Sequence, residues 1–202
     1  MNKIAGMKLQ KLISLIALLL LFGGVWQSGH GVYIQAKALL AQHLMHKAWA
    51  SILSGQQAVK PWPWADTWPI ARLRSLEHDT DLIVLHGASG RSLAFGPGHV
   101  TGTALPGRNG VSVISAHRDT HFRFLKALRL NDVLLVQAAT GEEHRYRVTD
   151  IRVVDGRKLN LLEDTTRSRI ALVTCYPFNA IVPGGVLRYV VTIEEESDNS
   201  SV

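Results

Sequence analysis

Cysteine is almost missing from this chain. Its 202 residues contain one, Cys175, so no disulfide framework can hold the fold. Acidic residues are missing from the first 60 positions, where Lys3, Lys8, Lys11, Lys37, Lys47 and Lys60 stand without a counter-charge. All 16 acids and 16 of the 22 basic side chains lie beyond residue 60, so the net charge of +6 belongs to the N-terminal segment and the body is neutral. This excludes the body as a nucleic-acid binder, because non-specific affinity comes from a surplus of Lys and Arg set against phosphates. No Gly-Lys-[Ser/Thr] occurs, which removes a P-loop, and Gly-x-Ser-x-Gly is absent too. Gly96-Pro97-Gly98-His99-Val100-Thr101-Gly102 misses the dinucleotide fingerprint in its last spacing and reads as a turn. His117 and His121 lie four apart but lack the adjacent glutamate of HExxH, so no metal site and no cofactor are expected.

What the chain does have begins with one long apolar run. No formal charge falls between Lys11 and Lys37, and Leu12 to Trp26 contains Ser14 as its one polar group. About 20 helical residues, at roughly 1.5 Å each, cross the hydrocarbon layer of a bilayer. The nearest small-x-small cleavage candidate, Ala36-Lys37-Ala38, lies well past the apolar block. Residues 1–36 therefore read as an uncleaved signal anchor rather than a removed signal peptide. Three lysines precede the span and only Lys37 closely follows it, which puts the N-terminus in the cytoplasm and the rest across the membrane.

Residues 37–69 read as a stalk helix followed by a connector. Leu40, Leu44, Met45, Ala48, Trp49 and Ile52 recur at helical spacing, and Lys60 to Pro69 is rich in Pro and Trp. Three tryptophans in one connector predict that it packs against something. Asp66, Thr67 and Trp68 are a candidate lid over a cleft, since they directly precede the first strand. From residue 70 to 194 the pattern changes to short β-like runs: Ala71–Leu76, Asp81–His86, Val111–Ala116, Val133–Val136, Arg145–Val154, Ile170–Thr174 and Val186–Ile193. The alternation of Arg145–Val154 slips near Asp150, which predicts a bulge. The helix candidate of note is His121–Leu130. Seven strands with few helices favour a mainly β domain, a closed barrel or a sandwich, over a parallel α/β sheet. Residues 195–202 form an acidic polar tail.

A lone cysteine is more often a small buried hydrophobe than a nucleophile. Cys175, however, ends the apolar run Ile170–Thr174, where a loop begins and a thiol can be reached. His117 likewise ends Val111–Ala116, and an imidazole can exchange a proton with the thiol and later protonate a leaving amine. Arg188 lies mid-strand, on the face opposite Leu187, Tyr189 and Val191. An arginine there needs a partner: either one of the acids, or the oxyanion of a tetrahedral intermediate.

Ala171-Leu172-Val173-Thr174-Cys175 resembles the TLxTC strand of sortases, membrane-anchored cysteine transpeptidases, with alanine for the first threonine. Ala116-His117-Arg118-Asp119-Thr120 is similar to their GHRDT-type segment, with alanine for glycine. Leu130-Asn131-Asp132 stands where many members carry Leu-x-Gly-Asp, and asparagine tolerates the same left-handed turn. Lys60–Asp66, Leu93–His99 and Cys175–Phe178 resemble the Gram-negative, marine proteobacterial branch. The resemblance implies a closed β-barrel of about eight strands with short helices, in the inner membrane by one pass and facing the periplasm. It implies cleavage of an LPxTG-like C-terminal sorting signal on a protein substrate, between Thr and Gly, and transfer of the acyl group to an amine acceptor. Cys175 would be the nucleophile, His117 the acid/base and Arg188 the oxyanion donor. Thr174 would support the site, and Asp119 would orient His117 or position its loop. No metal or organic cofactor is implied.

Three other classes share part of this pattern. A membrane-anchored cysteine endopeptidase of chymotrypsin type has the same His-before-Cys order but wants glycine around the nucleophile, and Val173-Thr174-Cys175-Tyr176 has none. L,D-transpeptidases carry an SHGC-type motif that is missing here. A non-catalytic β-domain binding a partner through its Trp-rich segment would keep Cys175 buried and inert.

Overall fold

The computed structural model describes residues 2–158, 166–180, 182 and 184–196, with side chains from residue 12 onward. The flanking Lys3, Lys8 and Lys11 side chains and residues 197–202 of the acidic tail lie outside this description. Two compact units meet in sequence at Gln42 and His43. One helix, α1 (Asn2–Leu53), covers both the expected anchor and the expected stalk. In the first unit, Leu, Ile and Phe side chains from Leu12 to Phe22 are exposed on every side. Among the described residues α1 is the one helix long and apolar enough to cross a membrane. A helix apolar all round has no polar face to turn to water, which suits a hydrocarbon environment.

In the second unit the end of α1 is amphipathic. Met45, Ala48, Trp49 and Ile52 are buried, as their spacing predicted, and Met45, Trp49 and Ile52 pack on Ile83 and Leu85. Leu40 departs from that set; it belongs to the first unit and is 58% exposed. The helix stops at Gly55, whose φ of 97° is the left-handed turn that glycine adopts without strain.

The body is a closed barrel. Its strands are β1 (Pro69–Ser75), β2 (Thr80–His86), β3 (Gly98–His99), β4 (Gly110–Ser115), β5 (Val133–Ala138), β6 (Glu143–Asp155), β7 (Ser168–Cys175) and β8 (Leu187–Glu195). They close in the order β1-β2-β3-β4-β7-β8-β6-β5, with β2–β3 and β4–β7 parallel and the other pairs antiparallel. Alternation sends Leu73, Val84, Ile114, Tyr146, Leu172 and Val191 into the barrel core. A second apolar layer, Val111, Val113, Ala171, Val173 and Val190, lies on the other face of β4, β7 and β8.

All seven predicted strands form, and the eighth is β3. Two residues are too few to show a period, and Gly96–Gly102 had read only as a turn. At Gly98 a Cβ would stand 2.4 Å from the Gly87 carbonyl oxygen, so glycine is what lets the chain cross there. The bulge expected near Asp150 is a register shift between Val148 and Asp150. The expected helix at His121–Leu130 is a 3-10 turn, Arg123–Ala127. Phe122, Leu125 and Leu128 are buried, and a strict spacing of three is the 3-10 period rather than the α period. A short helix α2 (Gly90–Leu93), capped by the Ser89 hydroxyl on the Ser92 N–H (3.2 Å), was not foreseen.

The connector packs, as its tryptophans predicted. Trp62 meets Phe95 edge-on at 4.8 Å and Trp68 stacks on His86 at 4.1 Å, while Trp64 remains 83% exposed.

A polar knot lies in the core. Tyr146 is fully buried; its hydroxyl shares a 2.6 Å hydrogen bond with Ser168 and accepts one from the Gly107 N–H at 3.1 Å. Burial pushes this phenol's pKa up. Tyr146→Phe leaves both partners unpaired in the interior and should cost about 1–3 kcal/mol. Urea unfolding should show a lower midpoint with an unchanged m-value.

Candidate active site

Backbone pairing decides where the three predicted residues stand. Cys175, the last residue of β7, is the direct partner of Arg188 in β8. The neighbouring Tyr176 N–H donates to the Leu187 carbonyl (3.1 Å). Cys175 and Arg188 therefore form a narrow, non-hydrogen-bonded pair, whose side chains share one face about 4.5–5.5 Å apart at Cβ. On the other side β4 runs parallel to β7, with Ser115 opposite Val173. The Ala116 N–H still donates to the Val173 carbonyl (3.2 Å), so pairing continues past the strand's end. Two residues beyond Ser115 and Val173 come His117 and Cys175.

The faces agree as well. Val111 and Val113 of β4, Ala171 and Val173 of β7, and Val190 of β8 form the outer apolar layer. His117, Cys175 and Arg188 continue those same alternating sets. Cys175 and Arg188 thus fall on the face of that valine-rich layer, and His117 follows two residues past the end of β4. Cys175 is half-buried and His117 exposed.

Thr174 points the opposite way. It is 2% exposed, and its hydroxyl donates to the Ala116 carbonyl at 2.7 Å, tying the residue before Cys175 to the residue before His117. Asp119 pairs with Arg118. It is 70% exposed and lies 3.5 Å from Nε of Arg118. Of its two expected functions, only loop positioning matches this contact.

Arg118 was missed as a site residue, having been quoted only as part of a motif. It is 8% exposed, and its Nη1 and Nη2 donate to the carbonyls of Pro177 and Ala180, both at 2.8 Å. The loop after His117 thus clamps the loop after Cys175. A buried arginine is tolerated because carbonyl oxygens and a carboxylate meet its donors. A basic residue within a run whose flanking strand is apolar was the available signal.

His121 lies beside His117. Burial pushes its pKa down, the nearby His117 adds to the effect, and a hydrogen bond to the Ala94 backbone opposes it. The expected lid segment touches the same 87–97 stretch from its other end. The Thr67 hydroxyl donates to the His86 carbonyl (2.7 Å), and Asp66 stands 3.9 Å from Arg91. These contacts, with the Trp68–His86 stack, join Asp66, Thr67 and Trp68 to the end of β2 and to α2. Arg188 donates through Nη1 to the carbonyls of Gly185 (2.6 Å) and Leu187 (2.9 Å).

A depressed histidine pKa has a fixed sign in folding. Stability from His121 is present above the unfolded-state value of about 6.5 and is lost as pH falls below it, because the unfolded chain takes up the proton first. Chemical unfolding from pH 7.5 to 5.5 should show declining stability, and His121→Gln should flatten that decline. Arg118→Lys supplies one ammonium where two carbonyls were bridged, and should loosen the 176–180 loop, read as faster amide exchange there.

Residues 75–196 match the Sortase domain family. Sortase D of Bacillus subtilis (strain 168) is 30% identical over 114 residues, a match that spans 56% of this chain and 57% of that protein. Among solved structures, sortase C-1 from Actinomyces oris is 28% identical with a TM-score of 0.57, covering 76% of this chain and 99% of its own. The lid mutant of sortase A from Corynebacterium diphtheriae is 23% identical with a TM-score of 0.59, covering 80% and 95%. The barrel has the sortase fold, and the chain belongs to the sortase family.

Proposed function

We propose that this protein is a membrane-anchored cysteine transpeptidase that cuts an LPxTG-like sorting signal between Thr and Gly and passes the acyl group to an amine. The observation that carries this is the ladder register: Cys175 stands opposite Arg188, and Ser115, two residues before His117, stands opposite Val173, two residues before Cys175. The Cys175 thiolate attacks the Thr carbonyl carbon, and Arg188 donates to the oxyanion. His117 gives its proton to the departing glycine nitrogen as the C–N bond breaks, leaving a thioester. The acceptor amine then attacks, His117 takes its proton, and the Cys175 thiolate leaves. This sequence needs no oxidant and no metal-bound water.

Thr174 and Arg118 hold the two loops in register, and Asp119 steadies Arg118. Asp66, Thr67 and Trp68 enter as a lid. Their support is that they grip the end of β2 and Arg91, and that the 87–97 stretch between reaches His121. The apolar part of α1 anchors the protein with its N-terminus in the cytoplasm, as the lysine asymmetry indicates, and the inner membrane and periplasm rest on the resemblance to the Gram-negative branch. The Gram-negative branch rests on Lys60–Asp66, Leu93–His99 and Cys175–Phe178, and placement among the peptidases rests on the same bond cleavage.

Mass spectrometry of the protein incubated with Leu-Pro-x-Thr-Gly peptides should show an acyl adduct on Cys175. Cys175→Ala should lose both the adduct and peptide cleavage; cleavage that persists in that variant would refute the assignment. Product mass should depend on added amine, whereas product indifferent to amine would mean hydrolysis. Trp68→Ala should change the rate at which a thiol reagent alkylates Cys175, and an unchanged rate counts against the lid.

A further inference from the structure

Arg188 does not hold its own position. Its stem crosses the start of the chain that leaves β6. A Cβ placed on Gly156 would stand 3.0 Å from Cγ of Arg188, 3.4 Å from its Nε and 3.0 Å from the Val186 carbonyl oxygen. The Gly156 N–H donates to that same carbonyl at 2.8 Å, so the two segments are drawn directly together. The backbone itself does not call for glycine here, since Gly156 is not among the residues of positive φ. The demand comes from contact with the arginine stem and, equally close, with the Val186 carbonyl oxygen. Next to it, the Asp155 carboxylate is occupied on both oxygens by Arg157, through Nε (3.0 Å) and Nη2 (2.6 Å). Arg157, and to a smaller degree the charge of Arg188, hold that carboxyl below the usual range. The Arg188 guanidinium instead donates to the carbonyls of Gly185 and Leu187.

We propose that Gly156 is a positioning residue for Arg188: its bare Cα is the seat on which the arginine stem lies, and that seat sets where the guanidinium stands relative to the Cys175 sulfur. This rests on the assignment of Arg188 as the oxyanion donor. An added methyl would lift the stem by a few tenths of an ångström or turn it to another rotamer. Donors aimed at a developing oxyanion tolerate little of either.

The test is a two-residue cycle in the full chain in detergent, using the peptide that forms the Cys175 adduct. Gly156→Ala should lower kcat/KM roughly ten- to a hundred-fold. The rate of Cys175 alkylation by a small thiol reagent should stay within about twofold, since the thiol and His117 are untouched. Placed on Arg188→Ala, the same substitution should cost far less, because the stem it disturbs is gone and only the Val186 carbonyl contact remains. Wild-type kcat/KM in Gly156→Ala, beside an impaired Arg188→Ala, overturns the seat and leaves the function standing. An equal loss from Gly156→Ala in both backgrounds overturns it too. Full activity of Arg188→Ala instead defeats the oxyanion assignment itself. If Gly156→Ala melts early, adding Arg188→Ala should restore the melting temperature; failure to restore it also overturns the proposal.

Discussion

The backbone ladder that joins β4, β7 and β8 is the constraint on which the rest depends. Each of its hydrogen bonds contributes only about 0.5–1.5 kcal/mol net, but together they fix register, and register fixes which side chains share a face. A slip of one residue in β8 would carry Arg188 into the barrel and Tyr189 out of it. Such a slip would bury a charge beside Ile170 and Leu172 and expose an aromatic ring and Ile193, so the core enforces the register it benefits from. The pairing of Cys175 with Arg188 is thus secured by residues that take no part in any chemistry.

Register aligns strands, but His117 and Cys175 sit where strands end, and ends fray. Thr174 and Arg118 address this from opposite sides. Thr174 closes the gap from inside the barrel with one hydroxyl, and Arg118 closes it from the loops with a guanidinium that two carbonyls satisfy. Both use side chains to satisfy backbone oxygens that strand pairing has ceased to reach. Ion pairs such as Arg72–Asp81 on β1 and β2 and Arg169–Glu194 on β7 and β8 lie partly exposed, and such pairs contribute little.

Much of this was legible because it is periodic or chemically scarce. A cysteine, a histidine and an arginine stood out at apolar strand ends and centres. Seven strands showed in their alternation, and the bulge in β6 showed as a slip of phase. Other features were illegible for definite reasons. β3 is too short for any period, and its glycine is needed for a crossing that exists only once β2 and β4 are in place. Arg118 looks like a surface charge until the Pro177 and Ala180 carbonyls come into range. Gly156 looks like an ordinary loop glycine until Arg188, 32 positions later, lies across it.

The amino-acid sequence by itself determined a charge-free apolar span, a neutral β-rich body, a thiol and an imidazole at strand ends and an arginine within an apolar strand, because hydropathy, charge and alternation are local properties. Whether those three side chains meet, and which neighbours hold them, was decided only by barrel closure. Closure brings β4, β7 and β8 together across gaps of tens of residues, and no short-range pattern encodes the order in which strands pair.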